Sequence, residues 1–365
     1  MEVNKIKNSR GEDTVEVVYK GVRGCAPGGK SKSIYEVKDF NYSIDDEIHI
    51  LKELSETLES LGIDVFDDFK KIQSYTSKLG SNARTALEFA ILQCKGGYKF
   101  LDGRKLPRPL GNIIGGGMHR QNSSLEFQEF LIIPEKAKTF MDAVEINLKF
   151  HKFIHEKLPK LDKNFKDQIT DEGAWSPELT NEDVLNLLSK YSGKFKCRIG
   201  IDIAASSFFK NNLYKYKDKE LTKDEQIDYV NLLIKKYDLY YVEDPLNQDD
   251  FLGFSYINKK ALIVGDDLIA TNIERLKTAL HLHAVNALIV KPNQIGSLYK
   301  TKEIVDYAKQ NNIVPIISHR SGETMDNTIS HLAVGLEIPI IKTGIYGKER
   351  EAKLNELVRI EKEIK

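Results

Sequence analysis

Little in this chain points toward an oxidising compartment, a membrane or a nucleic acid. Only three cysteines occur in 365 residues, Cys25, Cys94 and Cys197, far apart and in no CxxC or zinc-type cluster. Disulfides belong to oxidising compartments, so three reduced thiols are expected. No apolar run approaches the roughly 18 residues that a membrane helix needs. The start, MEVNKIKNSRGEDTVEV, has no apolar stretch of the kind a secretory signal requires. A cytoplasmic protein with no membrane partner is therefore expected. Charge of one sign is also missing. Lys+Arg and Asp+Glu both number 54, so nothing global favours nucleic acid or an anionic surface. What is present is ordinary globular material, 41% hydrophobic and 30% charged, long enough for one large domain and a small one.

Two grammars divide the chain. Residues 1 to about 105 read as a mixed α+β domain. Thr14 to Tyr19 alternates like a half-exposed strand and runs into a Gly-rich turn at Gly21 to Gly29. Helical periodicity follows over Asp45 to Leu61 and Asn82 to Cys94. Pro107 and Pro109 mark the boundary. From 106 to 365, short Ile/Val/Leu runs alternate with helical spacers: LGNII, FLIIP, CRIGID, LYYVED, ALIVGDD, NALIVKPN, IVPIISHRS and IPIIKTG. Continuous apolar runs suit strands covered on both faces, as in parallel sheets. Some 260 residues of this pattern fit a (β/α)8 barrel, which typically needs roughly 250. A doubly wound sheet would want a GxGxxG turn early on, and Gly115-Gly116-Gly117 is not one.

In a barrel the C-terminal strand ends share one mouth. Here they carry Asp202, Glu243, Asp266, Lys291, His319-Arg320 and Lys342. One charge after a strand is ordinarily a solvated loop residue, whereas six successive charged ends predict a site. Three carboxylates converging from separate strands suit a hard divalent cation such as Mg²⁺, and no Cys/His set accompanies them to favour zinc. A lysine becomes a base near neutral pH if nearby positive charge lowers its pKa, and Lys342 with a metal would do that to Lys291. Such a base suggests proton abstraction α to a metal-bound carboxylate. Arg320 and Ser321 supply a fork donor and a hydroxyl for an anion such as phosphate.

These residues resemble the enolase family. The ending SHRSGETMDNTISHLAVGLEIPIIKTGIYGKEREAKLNELVRIE, together with VEDP, GDDLIATN, KPNQIGSL and NSRGEDTVEV, is similar to that family's motifs in the same order. The resemblance implies an enolase-type barrel behind a small α+β N-terminal domain. It implies the glycolytic lyase activity, reversible dehydration of 2-phosphoglycerate to phosphoenolpyruvate, with a phosphorylated carboxylate substrate. Asp202, Glu243 and Asp266 would hold Mg²⁺, and Ser31 would help bind a second ion. Lys291 would be the base. Glu172, in DEGAWSP, would assist hydroxide departure with Glu129 as its partner and Gln128 beside it. Lys342 would grip the substrate carboxylate, Arg320 and Ser321 its phosphate, and His119 and His319 would line the pocket. A homo-oligomer, dimer or octamer, is implied by the resemblance alone.

Three readings compete. Another acid lyase or racemase of the same superfamily would share the metal and base, but has no evident need of both Arg320-Ser321 and Lys342. A non-catalytic paralogue serving as a binding protein would be expected to lose charged groups, and none is missing. Finally, GCAPGGKS (Gly24 to Ser31) matches GxxxxGK[ST] literally. A phosphate-binding loop needs a helix directly after it, however, and the next helical pattern starts only near Asp45.

Overall fold

The computed structural model describes residues 1–30, 32–119 and 123–364. Three antiparallel strands open the chain: β1 (Glu2–Lys7), β2 (Asp13–Tyr19) and β3 (Val22–Cys25). Val3, Val15 and Val17 turn inward from them, and the Ser81–Cys94 helix packs on β2 and β3. At Gly24 that helix approaches so closely that a Cβ would lie 2.2 Å from the amide nitrogen of Ala90. The pattern over Asp45 to Leu61 folds as two helices, Ile44–Glu53 and Ser55–Ser60, with Leu54 capping the first and starting the second. Ser43 starts the first helix by accepting from the amide of Asp46. A further helix, Phe69–Thr76, lies between the expected ones.

Eight strands then close a barrel. They are β4 (Arg108–Gly115), β5 (Glu129–Pro134) and β6 (Cys197–Asp202), and after a small antiparallel sheet of β7 (Phe209–Lys210), β8 (Leu213–Lys215) and β9 (Glu220–Leu221), β10 (Tyr241–Glu243), β11 (Leu262–Gly265), β12 (Ala287–Val290), β13 (Val314–Ser318) and β14 (Ile340–Lys342). All eight apolar runs read from the sequence are barrel strands. Local chemistry starts the outer helices: Thr139, Thr180 and Thr222 each form a capping box with the acid three residues on, Asp142, Asp183 and Glu225.

One feature departs from a uniform (β/α)8 pattern. β5 runs antiparallel to both β4 and β6, while the other pairs are parallel. A parallel return needs a crossover of a dozen or more residues, usually a helix. Among the described residues between β4 and β5 there is only the short 3-10 turn Gly117–His119, so the chain doubles back. The start of β5 therefore lies at the same mouth as the ends of β4 and β6, with Glu129 in register with Gly115 and Asp202.

Strand alternation decides what enters the barrel. Leu110, Leu131, Ile133, Tyr241, Val264, Ala287, Ile289, Ile316 and Ile340 form an apolar plug inside it. Their neighbours Phe130, Ile132, Val242, Ile263, Leu288, Val290, Ile317 and Ile341 face the outer helices. Two residues above the plug, on the same inward face, stand Glu129, Glu243, Asp266, Lys291, Ser318 and Lys342.

Candidate active site

Above the plug is a narrow cleft, its free space only about 30 Å³. Its lining includes His119, Gln128, Glu129, Glu172, Asp202, Asp266, Lys291, His319, Arg320, Ser321 and Lys342. Thus all but two of the expected site residues meet in one cleft. Glu243 is fully buried just beneath it, and Ser31 lies outside the described residues.

The carboxylates fall into groups whose ligand atoms lie within 4.8 Å of one another, and these cut across the expected trio. One group is Glu129, Asp202 and Glu243, and another is Asp244, Asp266 and Asp267. Asp266 instead pairs closely with Lys291, and its second oxygen accepts from Gln294 Nε2 at 3.1 Å. Asp244 is the hinge of this arrangement. It adopts φ +40°, sparsely populated for a non-glycine residue, and its carboxylate accepts the amides of Asp266 (3.0 Å) and Asp267 (2.7 Å). That sets the Asp266 backbone in place.

Lys342 stands among the first group, its ammonium 2.5 Å from Glu129, 3.0 Å from Asp202 and 2.6 Å from Glu243. Burial disfavours its charge, but these three carboxylates outweigh burial and hold its pKa well above the ordinary range. Glu243 is raised as well: burial, then the Asp202 charge, push it well up. Lys291 is expected to be lowered by Lys342 together with a metal, and the protein's own groups by themselves do not lower it on balance. Burial lowers it and Arg320 and Lys342 contribute in the same direction, but contact with Asp266 outweighs them and the net shift is upward.

The acid side is built differently. Glu129 Oε1 accepts from Asn112 Nδ2 at 2.9 Å. Glu172 sits between two imidazoles, with His119 Nε2 3.6 Å from Oε1 and His319 Nε2 3.6 Å from Oε2. Burial raises Glu129, and despite the opposing Lys342 charge its pKa reaches about 7, whereas His119 helps to draw Glu172 below its ordinary value against burial. Two neighbouring carboxylates pushed apart in this way are suited to divide acid and base roles. His319, by contrast, is held neutral by burial and by the charges of Arg350 and Lys342.

Arg320 donates from Nη1 to Glu36 Oε2 (2.9 Å) and Asn293 Oδ1 (3.2 Å) and from Nη2 to Glu36 Oε1 (3.3 Å). Gly29 lies so close that a Cβ there would come within 1.8 Å of Nη2. Ser321 Oγ accepts the Lys30 amide at 2.9 Å, and Gln128 Nε2 donates to Asp202 at 3.3 Å. The Gly24-to-Lys30 segment is thus a strap against the barrel mouth, Gly28 pairing with Gly322, and no helix follows among the described residues before Ile44. The phosphate-loop reading fails on that geometry.

Sequence reasoning missed Glu36, Asp171, Asp244 and Arg350. Asp171 and Asp244 lay inside motifs already singled out, DEGAWSP and VEDP, and Arg350 in the KERE run. Glu36 gave no signal, because its meaning depends on a partner 284 positions away.

The residues present fit a divalent cation. Glu129, Asp202, Asp244, Asp266 and Asp267 crowd one cleft over Glu243, with Lys291 and Lys342 as the ammonium groups among them. Glu243 Oε1 and Gln128 Oε1 are buried and accept no hydrogen bond. The donors are hard oxygens converging from several strands, the set that Mg²⁺ or Ca²⁺ takes.

Residues 104–365 match the family model described as "Enolase, C-terminal TIM barrel domain". The chain is 40% identical to an enolase of Methanosphaera stadtmanae, over 99% of this chain and 96% of that protein. It is also 40% identical to an enolase of Methanothermobacter thermautotrophicus (99% and 95% covered) and 38% identical to one of Picrophilus torridus (99% and 98%). A closed barrel with its second strand reversed, a mouth of carboxylates and lysines, and these likenesses along nearly the whole chain agree: the chain belongs to the enolase family.

Proposed function

We propose that this chain carries out the enolase reaction with Mg²⁺ as its metal, removing the C2 proton and C3 hydroxide of 2-phosphoglycerate to give phosphoenolpyruvate, and the reverse. The observation that carries the residue assignment is the gathering of a lysine base, a grip for each anionic end of the substrate and a split carboxylate pair in one buried cleft. Asp202, Glu243 and Asp266 would hold the cation. A bound divalent cation supplies charge that offsets what builds up on the substrate carboxylate as its α-proton leaves.

The chain's own residues supply the rest. Lys291 Nζ takes the C2 proton, which requires it to give up its own proton first. Asp266, which keeps that proton on, is one of the residues assigned to the cation, so loading the site reduces the hold. Lys342 grips the substrate carboxylate. Arg320 and Ser321 take the phosphate, with Glu36 and Asn293 aligning the guanidinium fork. Glu172 faces the departing hydroxide with Glu129, whose raised pKa allows it to hold a proton near neutrality. His119, His319 and Gln128 close the walls around them. We extend the proposal to a division near residue 105, a cytoplasmic location and a homo-oligomer.

Mixing purified chain, Mg²⁺ and 2-phosphoglycerate should produce phosphoenolpyruvate absorbance, and a chelator should abolish it reversibly. Folded, metal-loaded protein without turnover would sink this reading in favour of a binding paralogue.

A further inference from the structure

Arg10 lies in the turn between β1 and β2, outside any strand or helix, yet it is firmly anchored. Asn8 Oδ1 accepts the amides of Arg10 (2.9 Å) and Glu12 (3.1 Å), and Gly11 turns the chain at φ +76°. The turn is docked beside β13: the Ser9 amide donates to Glu323 O at 2.7 Å, and the Glu323 amide donates to Ser9 Oγ at 3.0 Å. From there Arg10 Nη1 reaches Asp171 Oδ2 at 2.7 Å, with Nε held by Glu12 at 3.1 Å. The other oxygen of Asp171 lies 2.8 Å from His119 Nδ1, and His119 Nε2 lies 3.6 Å from Glu172 Oε1. Guanidinium, carboxylate, imidazole and carboxylate form one row from the N-terminal turn to the acid pair.

The row is consistent in sign when His119 carries both ring protons. Burial opposes that charge, but Glu172, Asp171 and Glu129 all face the ring, and its pKa rises to about 9. Against burial, His119 itself does most to keep Asp171 ionised, and Lys30 and Arg10 behind it add to that hold. A ring with Nδ1–H donated to a carboxylate has its orientation set by that bond, as in other histidines oriented by an acid.

We propose that Arg10 and Asp171 are positioning residues of the dehydration, fixing the His119 ring so that its Nε2–H faces Glu172 and aims that carboxylate into the cavity. This gives the N-terminal turn a part in the reaction and gives His119 more than a lining role. It rests on the reading that Glu172 takes part in catalysis.

The test compares full-length wild type, Asp171→Asn, Arg10→Ala, Arg10→Lys and the Asp171→Asn/Arg10→Ala double variant, all Mg²⁺-loaded. Asp171→Asn should lower kcat about 10–100-fold, the usual scale for groups that orient a reacting side chain, with KM little changed. Arg10→Ala should lose less, Arg10→Lys should recover most of that loss, and the double variant should be no worse than Asp171→Asn alone, since both act along one row. In nitrogen-labelled histidine NMR spectra near pH 8, one ring should be doubly protonated in wild type and should lose that signature in Asp171→Asn. Wild-type kcat in Asp171→Asn would overturn the proposal. So would losses that multiply in the double variant, or a kcat loss that follows thermal stability while the ring signature stays unchanged. Absent turnover in wild type would instead sink the proposed function, and the NMR comparison would still decide the row.

Discussion

The two sides of the barrel mouth are built by different means. On one side, β10, β11, β12 and β14 each place a charged residue two positions beyond an inward apolar one: Tyr241 and Glu243, Val264 and Asp266, Ile289 and Lys291, Ile340 and Lys342. The strand itself positions these groups. On the other side, Glu129 opens a reversed strand, and Glu172 rides on a loop that several distant elements hold. Gly173, at φ +79°, packs so tightly under Tyr346 that a Cβ would come within 2.3 Å of its carbonyl oxygen. Arg350, buried in the Lys348–Ile364 helix, donates to the carbonyls of Asp171 (3.4 Å), Arg320 (3.3 Å) and Ser321 (2.9 Å), tying the two loops together. Trp175 stacks on His151 and His155 at 4.7 and 4.3 Å and donates to the carbonyl of His151 at 3.0 Å. Strand periodicity needs no outside help to aim a side chain, whereas a loop carboxylate takes its direction from whatever packs behind it.

The sharpest way to break this comparison is to remove one group from each side. Lys291→Ala should lower kcat about 10²–10⁴-fold while calorimetric Mg²⁺ affinity holds. Near-normal rates would take the base role away from Lys291. Glu172→Gln should cost activity on the same scale, again with the metal retained. Asp202→Asn should show the reverse split, weakening Mg²⁺ by at least ~10-fold, with activity recovered at higher metal. If all three variants changed metal and rate together, the two sides would not be separable.

Smaller effects probe the packing behind the Glu172 loop. Burial holds His151 at a pKa of about 4, below its usual 6.5, although its bond to the Gly173 carbonyl works the other way. A depressed histidine contributes stability that is present above about pH 6.5 and lost as pH falls toward 4, because the unfolded chain takes the proton first. Chemical denaturation at pH 8 and pH 5 should therefore differ by about 2 kcal/mol more in wild type than in His151→Gln. Equal pH slopes would show that His151 does not carry this linkage. Smallest of all, Trp175→Phe keeps an aromatic face but drops one hydrogen bond, which should cost about 1 kcal/mol of unfolding free energy by chemical denaturation. A larger loss of kcat than of stability would sharpen the view that the stack aims Glu172.

Much of the strand-built side was readable in advance. Eight apolar runs, each one strand long, and the charged groups on six of their ends made the barrel and seven mouth residues legible, because period-two alternation is a local property. The loop-built side was readable only through likeness to a family. Glu129 stands at the beginning of its strand, which in an all-parallel barrel would put it at the wrong end. The contact of Lys291 with Asp266 was not legible either, since the sequence pointed only to Lys342 and a metal as its neighbours.

The chain's order of residues alone determined where strands and helices lie, which residues on each strand share a face, and that acidic and basic groups cap the strands in succession. Those follow from backbone geometry and side-chain chemistry within a few positions. Tertiary structure decided that β5 reverses, that Lys342 rather than Lys291 sits among Glu129, Asp202 and Glu243, and that Arg10 and Glu36 reach the mouth at all. The reversal follows from the short link to β4 and shows only in the strand pairing, whereas the other two depend on partners 99 to 284 positions away, a distance that no local pattern encodes.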